Sequence, residues 1–137
     1  MSEHFVLDAW GILAFLQGEE PAANRVQQLF EAAQAGQIEL SISIINLGEV
    51  YYRVGRAKDL AEANKTLAGL RQLTLDIFPS EDEQVFNAAR LKAVYAISYA
   101  DAFALAAARQ LNATLVTGDP ELLNLEDSWR FEVLKRG

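Results

Sequence analysis

One stretch near the start of the chain leaves little choice of architecture: His4-Phe5-Val6-Leu7-Asp8-Ala9-Trp10-Gly11-Ile12-Leu13-Ala14-Phe15-Leu16. A short run of aromatic, β-branched and aliphatic residues stops at an acid. Trp10, Leu13 and Leu16 then recur at helical spacing in a segment that is apolar almost all round. The stretch predicts a strand, then Asp8, then a buried helix. In an open α/β sheet this puts the acid at the carboxyl end of a strand, where ligands bind.

The remainder repeats the alternation. Pro21 opens a helix over 22–35, ended by Gly36. Gln37 to Ser43 alternates polar and apolar residues and reads as a strand, followed by a helix over 44–56 with Ser43 as its N-cap. A further helix over 58–73 has Leu60, Ala63, Leu67 and Leu70 on its inner face. Leu75 to Phe78 is a short strand, and Ser80-Glu81-Asp82-Glu83 reads as a capping-box start to a helix reaching Val94. Ser98 starts another helix, to about Leu111. Thr114 to Thr117 is a strand, Gly118-Asp119-Pro120 a sharp turn, 121–125 at most one helical turn, and Phe131 to Leu134 a last strand. The class is therefore α/β, with a short, mostly parallel sheet of four to five strands and helices on both faces.

The 137 residues, 51% hydrophobic and 23% charged, suit a single folded domain over 1–137. The absence of cysteine excludes disulfides and thiolate zinc sites and fits a reducing, cytoplasmic setting. No apolar run reaches the ~18 residues a bilayer requires, so no membrane partner is expected. The net charge of −7 by itself argues against nucleic acid. It equally fits a metal site lined with acids, or a basic partner.

Four acids stand at the points such a sheet would gather on one rim, and each also has a plain structural reading. Asp8 can be a helix N-cap. Asp101 follows Ser98 in a Ser-x-x-Asp capping pattern, and Asp119 in Gly-Asp-Pro is a turn or cap residue. Glu49 lies inside a helix, where Asn46, Glu49, Arg53 and Arg56 share a face, and it can pair with Arg53. Taken together, Asp8, Glu49, Asp101 and Asp119 fall at strand ends or helix starts. Crowded carboxylates repel one another unless a cation sits among them, and all-oxygen ligands suit Mg²⁺ or Mn²⁺. The chemistry of such a site is hydrolytic phosphoryl transfer by metal-activated water. Nothing competes for a nucleophilic role: the single histidine, His4, falls at the amino end of the first strand and reads as structural.

At these residues the chain resembles the PIN-domain ribonucleases, and more narrowly the VapC-type toxins of toxin–antitoxin pairs. The resemblance rests on Val6-Leu7-Asp8, on Ser43 to Val50 around Glu49, on Ser98 to Ala106 around Asp101, and on Leu115 to Leu122 around Asp119. It implies a Rossmann-like sheet, a Mg²⁺- or Mn²⁺-dependent endoribonuclease, and Asp8, Glu49, Asp101 and Asp119 as the metal-binding and catalytic quartet. It further implies supporting hydrogen bonds from Thr117 and Asn46, a homodimer, and an antitoxin whose C-terminal segment lies over the site. Leu122 departs from the aromatic residue the family often has there, which bears on packing.

Arg53, Arg56 and Lys58, near the end of the Glu49 helix, are the candidate RNA contacts. The substrate expected is single-stranded or loop RNA, with tRNA among the candidates. Tyr52 and Trp10 are either stacking platforms or core. Two rivals remain: a non-catalytic PIN-like module that binds RNA or protein, and an aspartyl-phosphate fold. The latter's phosphatases need an acid two residues beyond the first, where Trp10 stands.

Overall fold

The computed structural model describes residues 2–125 and 129–137. Five strands, β1 (Glu3–Leu7), β2 (Ile38–Ser43), β3 (Asp76–Phe78), β4 (Thr114–Thr117) and β5 (Phe131–Val133), form one sheet in the order β3-β2-β1-β4-β5. Every pairing is parallel. The helices are α1 (Ala9–Leu16), α2 (Ala22–Gln34), α3 (Ile44–Ala57), α4 (Leu60–Arg71), α5 (Asp82–Val94), α6 (Tyr99–Gln110) and the single turn α7 (Pro120–Leu123).

Alternate residues of the central strands feed two cores. Phe5 and Leu7 of β1, Leu40 and Ile42 of β2 and Val116 of β4 pack with α1, α2 and α3 on one face. Val6 and Leu115 pack with α5 and α6 on the other, where Leu122 is also fully buried. Parallel strands covered on both faces read as near-continuous apolar runs, as β1 does. No helix among the described residues is by itself long and apolar enough to cross a membrane.

The sheet runs outward in both directions from β1, so the chain reverses its winding between β1 and β4. The crevice beyond the carboxyl ends of these two strands is the switch point at which such folds bind ligands. Parallel pairing also delivers the residues after β2 and β5 to the same rim.

Three local expectations differ from what forms. Leu60, placed on the inner face of its helix, is 64% exposed; Asp59 caps α4 through Glu62 N–H (2.7 Å), so the helix begins one turn from the core. Ala63 and Leu70 are buried as expected. The capping box at Ser80 does not form: Glu81 occupies the N-cap of α5, without a side-chain hydrogen bond. The box at Ser98 forms only by half, with consequences for the site below.

Candidate active site

Asp8 leaves β1 as the N-cap of α1, its Oδ1 accepting from Gly11 N–H at 3.0 Å. Its Oδ2 accepts from the Thr117 hydroxyl at the end of β4, and that hydroxyl in turn accepts from Asp119 N–H at 3.0 Å. Thr117 thus locks the first acid to the loop that carries the fourth. Asp119 caps α7 through Glu121 N–H at 2.9 Å. The capping and site readings of Asp8 and Asp119 are compatible, since a carboxylate has two oxygens with several lone-pair sites.

Asp101 is resolved differently. Ser98 caps α6 by accepting from Asp101 N–H at 3.1 Å. The return bond expected of a capping box comes from elsewhere: Ser98 N–H donates to Glu121 Oε1 at 2.6 Å. Glu121 takes over the capping task, and the Asp101 carboxyl is left to meet Glu121 and Asp119. Asn46, buried on α3, donates to the Ala100 carbonyl at 3.0 Å and so fixes the start of α6 against α3. Glu49, one turn further along α3, accepts from Arg53 Nε at 3.0 Å, the pair the spacing predicted.

The four acids line one cleft of about 190 Å³, together with Trp10, Leu13, Gln17, Arg53 and Arg136. Burial dominates its electrostatics. It raises the Asp8 carboxyl to about 7 from 3.8, against the lowering effect of the Thr117 and Gly11 hydrogen bonds; the charges of Asp119 and Glu49 raise it further. Asp101 is pushed up to about 9, first by burial, then by its hydrogen bond to Glu121 and by the charge of Asp119. Glu121 moves down, stabilised as a carboxylate by Asp101 and by the Ser98 backbone. Helix N-termini of α1 and α6 face this rim with fixed positive potential, yet they do not offset the desolvation.

Such a donor set fits a hard divalent cation: all oxygen, with Asp8 and Asp101 buried, and four carboxyls against the two arginines of the cleft. As the side chains stand, no three acids among the described residues are arranged to share an ion. Each is held by a protein partner instead, Asp8 by Thr117 and Gly11, Asp101 by Glu121, Glu49 by Arg53 and Asp119 by the Glu121 N–H. Ion binding would exchange these partners.

A larger groove of about 920 Å³ adjoins the cleft, sharing Leu13, Gln17 and Arg53 with it and lined further by Leu16, Tyr52, Arg56 and Lys58. Tyr52 is 45% exposed and carries the Arg56 guanidinium 5.1 Å above its ring, so it is a surface platform and not core. Trp10 lies in the cleft itself, packed so closely on Gly118 that a Cβ there would fall 2.3 Å from its ring. His4, as expected, is remote from the rim; its Nε2 lies 2.8 Å from Ser41 Oγ.

Sequence reading missed Glu121, Gly118 and Arg136. Glu121 was hidden because a Ser-x-x-Asp pattern supplies its own capping partner on paper. Arg136 could have been suspected from Lys135-Arg136 following the last strand, given a parallel register for β5.

No curated protein sequence matches the chain. Solved structures do. VapBC2 from Rickettsia felis, bound to a DNA fragment from its promoter, superposes with a TM-score of 0.74 at 20% identity, over 96% of this chain and 99% of that one. DNA-bound VapBC from Salmonella typhimurium gives 0.73 at 17% identity, over 97% and 98% of the two chains. Mycobacterium tuberculosis VapC20, a sarcin–ricin-loop-cleaving toxin, gives 0.67 at 14% identity, over 84% and 89%. At these identities the likeness is one of fold. The sequence profile of the PIN domain matches residues 5–127, which is most of the chain, and the protein belongs to the PIN domain family.

Proposed function

We propose that the chain is a divalent-metal-dependent endoribonuclease and the toxin of a toxin–antitoxin pair. One observation carries this reading: Asp8, Glu49, Asp101 and Asp119 line a single cleft at the switch point of the sheet. These four would hold one or two Mg²⁺ or Mn²⁺ ions, which when bound supply Lewis-acid charge and a water of lowered pKa. The chain's own part is orientation. Thr117 and Gly11 N–H fix the Asp8 carboxylate, Thr117 sets the Asp119 loop, and Asn46 aligns the α3 and α6 acids. Phosphodiester hydrolysis here uses no covalent protein nucleophile.

The substrate is single-stranded or looped RNA, with tRNA a natural pool to test. Arg53, Arg56 and Lys58 take its phosphates along the groove, and exposed Tyr52 stacks a base. The similarity to structures solved as VapBC supports a cognate antitoxin, and in this reading its C-terminal segment lies over the cleft. The reading includes a homodimer, for which exposed apolar side chains such as Phe86 and Val94 on α5 are available. The reading carries with it a cytoplasmic site of action.

The test is cleavage of total tRNA by protein purified free of any co-expressed partner, in Mg²⁺, Mn²⁺ and EDTA, with Asp101→Ala as the contamination control. Metal-dependent cuts absent from the variant are expected. Equal cutting by the variant would overturn the assignment, and no cutting together with no Mn²⁺ binding would favour the non-catalytic module.

A further inference from the structure

The cleft contains a cation that the four-acid reading does not use. Arg136 follows β5, and its guanidinium lies 5.0 Å above the Trp10 ring. Its Nη1 donates to Glu19 Oε1 at 3.1 Å. Glu19 is not among the residues lining the cleft, so the bond leaves the guanidinium at the cleft mouth without tying it to a metal-binding acid. The side chain is 53% accessible, and a guanidinium has five N–H donors, of which Glu19 engages one corner.

The backbone around Arg136 is built to hold it there. Arg25 of α2 makes a two-point pair with Glu132 of β5, at 2.6 and 2.9 Å. Leu134 N–H donates to the Thr117 carbonyl at 2.9 Å, beside the hydroxyl that fixes Asp8. The Leu134 side chain is buried against Gly11, where a Cβ would come within 3.3 Å of it. The segment then pairs with the loop before α2: Ala22 N–H donates to the Lys135 carbonyl at 2.9 Å, Arg136 bridges Pro21, and Gly137 N–H donates to the Glu20 carbonyl at 3.0 Å. Trp10, packed on Gly118 and in contact with the guanidinium, completes the mount.

A planar, always-charged fork on a fixed base at the edge of a phosphoryl-transfer cleft suits one ligand chemistry, the phosphodiester oxygen. We propose that Arg136 is a positioning residue that grips a backbone phosphate of the RNA beside the scissile bond, from the side of the cleft formed by Trp10. The inference rests on the nuclease reading above. Arg53 is paired to Glu49 inside the cleft, so Arg136 is the cleft arginine whose pairing costs the metal-binding acids nothing. A strand gripped there enters across Trp10 and leaves along the Arg56–Lys58 groove.

The experiment measures binding of a fluorescent single-stranded RNA of about 12 nucleotides in EDTA against salt, and separately kcat and KM in Mn²⁺. The proteins are wild type, Arg136→Ala, Arg136→Lys and Glu19→Gln, each with its Tm. Arg136→Ala is expected to weaken binding about tenfold and to flatten the log–log salt slope by about 0.7. It raises KM with kcat held within about twofold, and Arg136→Lys recovers part of the loss. Glu19→Gln binds as wild type or more tightly, because it frees the guanidinium. Equal weakening by Arg136→Ala and Glu19→Gln with an unchanged salt slope would show a structural tether and overturn the proposal, as would wild-type binding by Arg136→Ala. A wild-type protein that neither binds nor cuts RNA would instead overturn the nuclease reading itself, and this inference with it.

Discussion

The cleft and the groove beside it share helix α3 and meet at Arg53, yet they treat charge in opposite ways. The cleft buries two of its acids: Asp8 is 1% and Asp101 8% exposed, and both carboxyls are pushed well above their ordinary range. The groove leaves Arg56 and Lys58 at the surface, over an apolar floor that includes Leu13 and Leu16. Burial costs the charged form several kcal/mol unless a partner compensates, and that cost is what pushes both carboxyls up. A surface arginine costs little and gains little individually. The contrast also shows why a net charge of −7 does not exclude RNA. What matters is local arrangement: four acids converge in one cleft, while Arg56 and Lys58 stand along the neighbouring groove.

If the cleft does the chemistry, Asp8→Asn separates activity from stability most sharply. Cleavage should fall by about a hundredfold or more, while the metal-free variant at pH 8 should melt no lower than wild type, because a buried carboxylate has been removed. Cleavage assays alongside thermal melts check both halves, and parallel losses would mean the substitution only unfolds the protein. Next in size is Thr117→Val, which removes the hydroxyl that fixes Asp8 and receives the Asp119 amide. A loss of about 10- to 100-fold in Mn²⁺ affinity or kcat is expected, read by titration and steady-state kinetics.

The groove should respond more mildly. Arg56→Ala with Lys58→Ala is expected to raise KM about fivefold and leave kcat unchanged, with the loss disappearing at high salt. A fall in kcat instead would place these residues in the chemistry and erase the contrast.

Proton linkage is read in stability and not in activity. In the folded chain Asp8 keeps its proton to about 7 and Asp101 to about 9, whereas an unfolded carboxyl ionises near 3.8. The folded state therefore binds more protons across that interval, and stability falls as pH rises. The contribution of Asp8 is lost between about 4 and 7, and that of Asp101 on to about 9. Melts of the metal-free protein should fall steadily between pH 5 and 9 (about 1 kcal/mol corresponds to 4–8 °C in a small domain). Divalent ions should restore the loss increasingly at higher pH. A metal-free protein that gains stability over this range would contradict the burial of these acids.

Much of this arrangement was legible in the residues. Strand ends stopped by an acid or a hydroxyl, as at Leu7-Asp8 and Val116-Thr117, are local signals, and parallel topology then brings them together. Glu49 was legible because a mid-helix acid has no capping role, and the Glu49–Arg53 pair because it is set by helix geometry alone. What escaped depends on distant register. Glu121 replaces Asp101 in the capping box only because α7 comes to rest beside the start of α6. Arg136 reaches Trp10 only because β5 pairs parallel to β4 and Leu134 seats against Gly11. Leu60 matched the helical period but lies at the helix start, beyond the reach of the core, and periodicity carries no information about where a core ends.

The central claim is that the converging acids form a cation site, and calorimetric titration of the metal-free protein with Mn²⁺ at pH 8 tests it most directly. Two buffers of different ionisation heat report the protons released. The account predicts saturable binding with release of about one proton, supplied mainly by Asp101, whose carboxyl stays protonated to about 9, and loss of binding in Asp8→Asn. No binding by the wild type, or equal binding by Asp8→Asn, would contradict it.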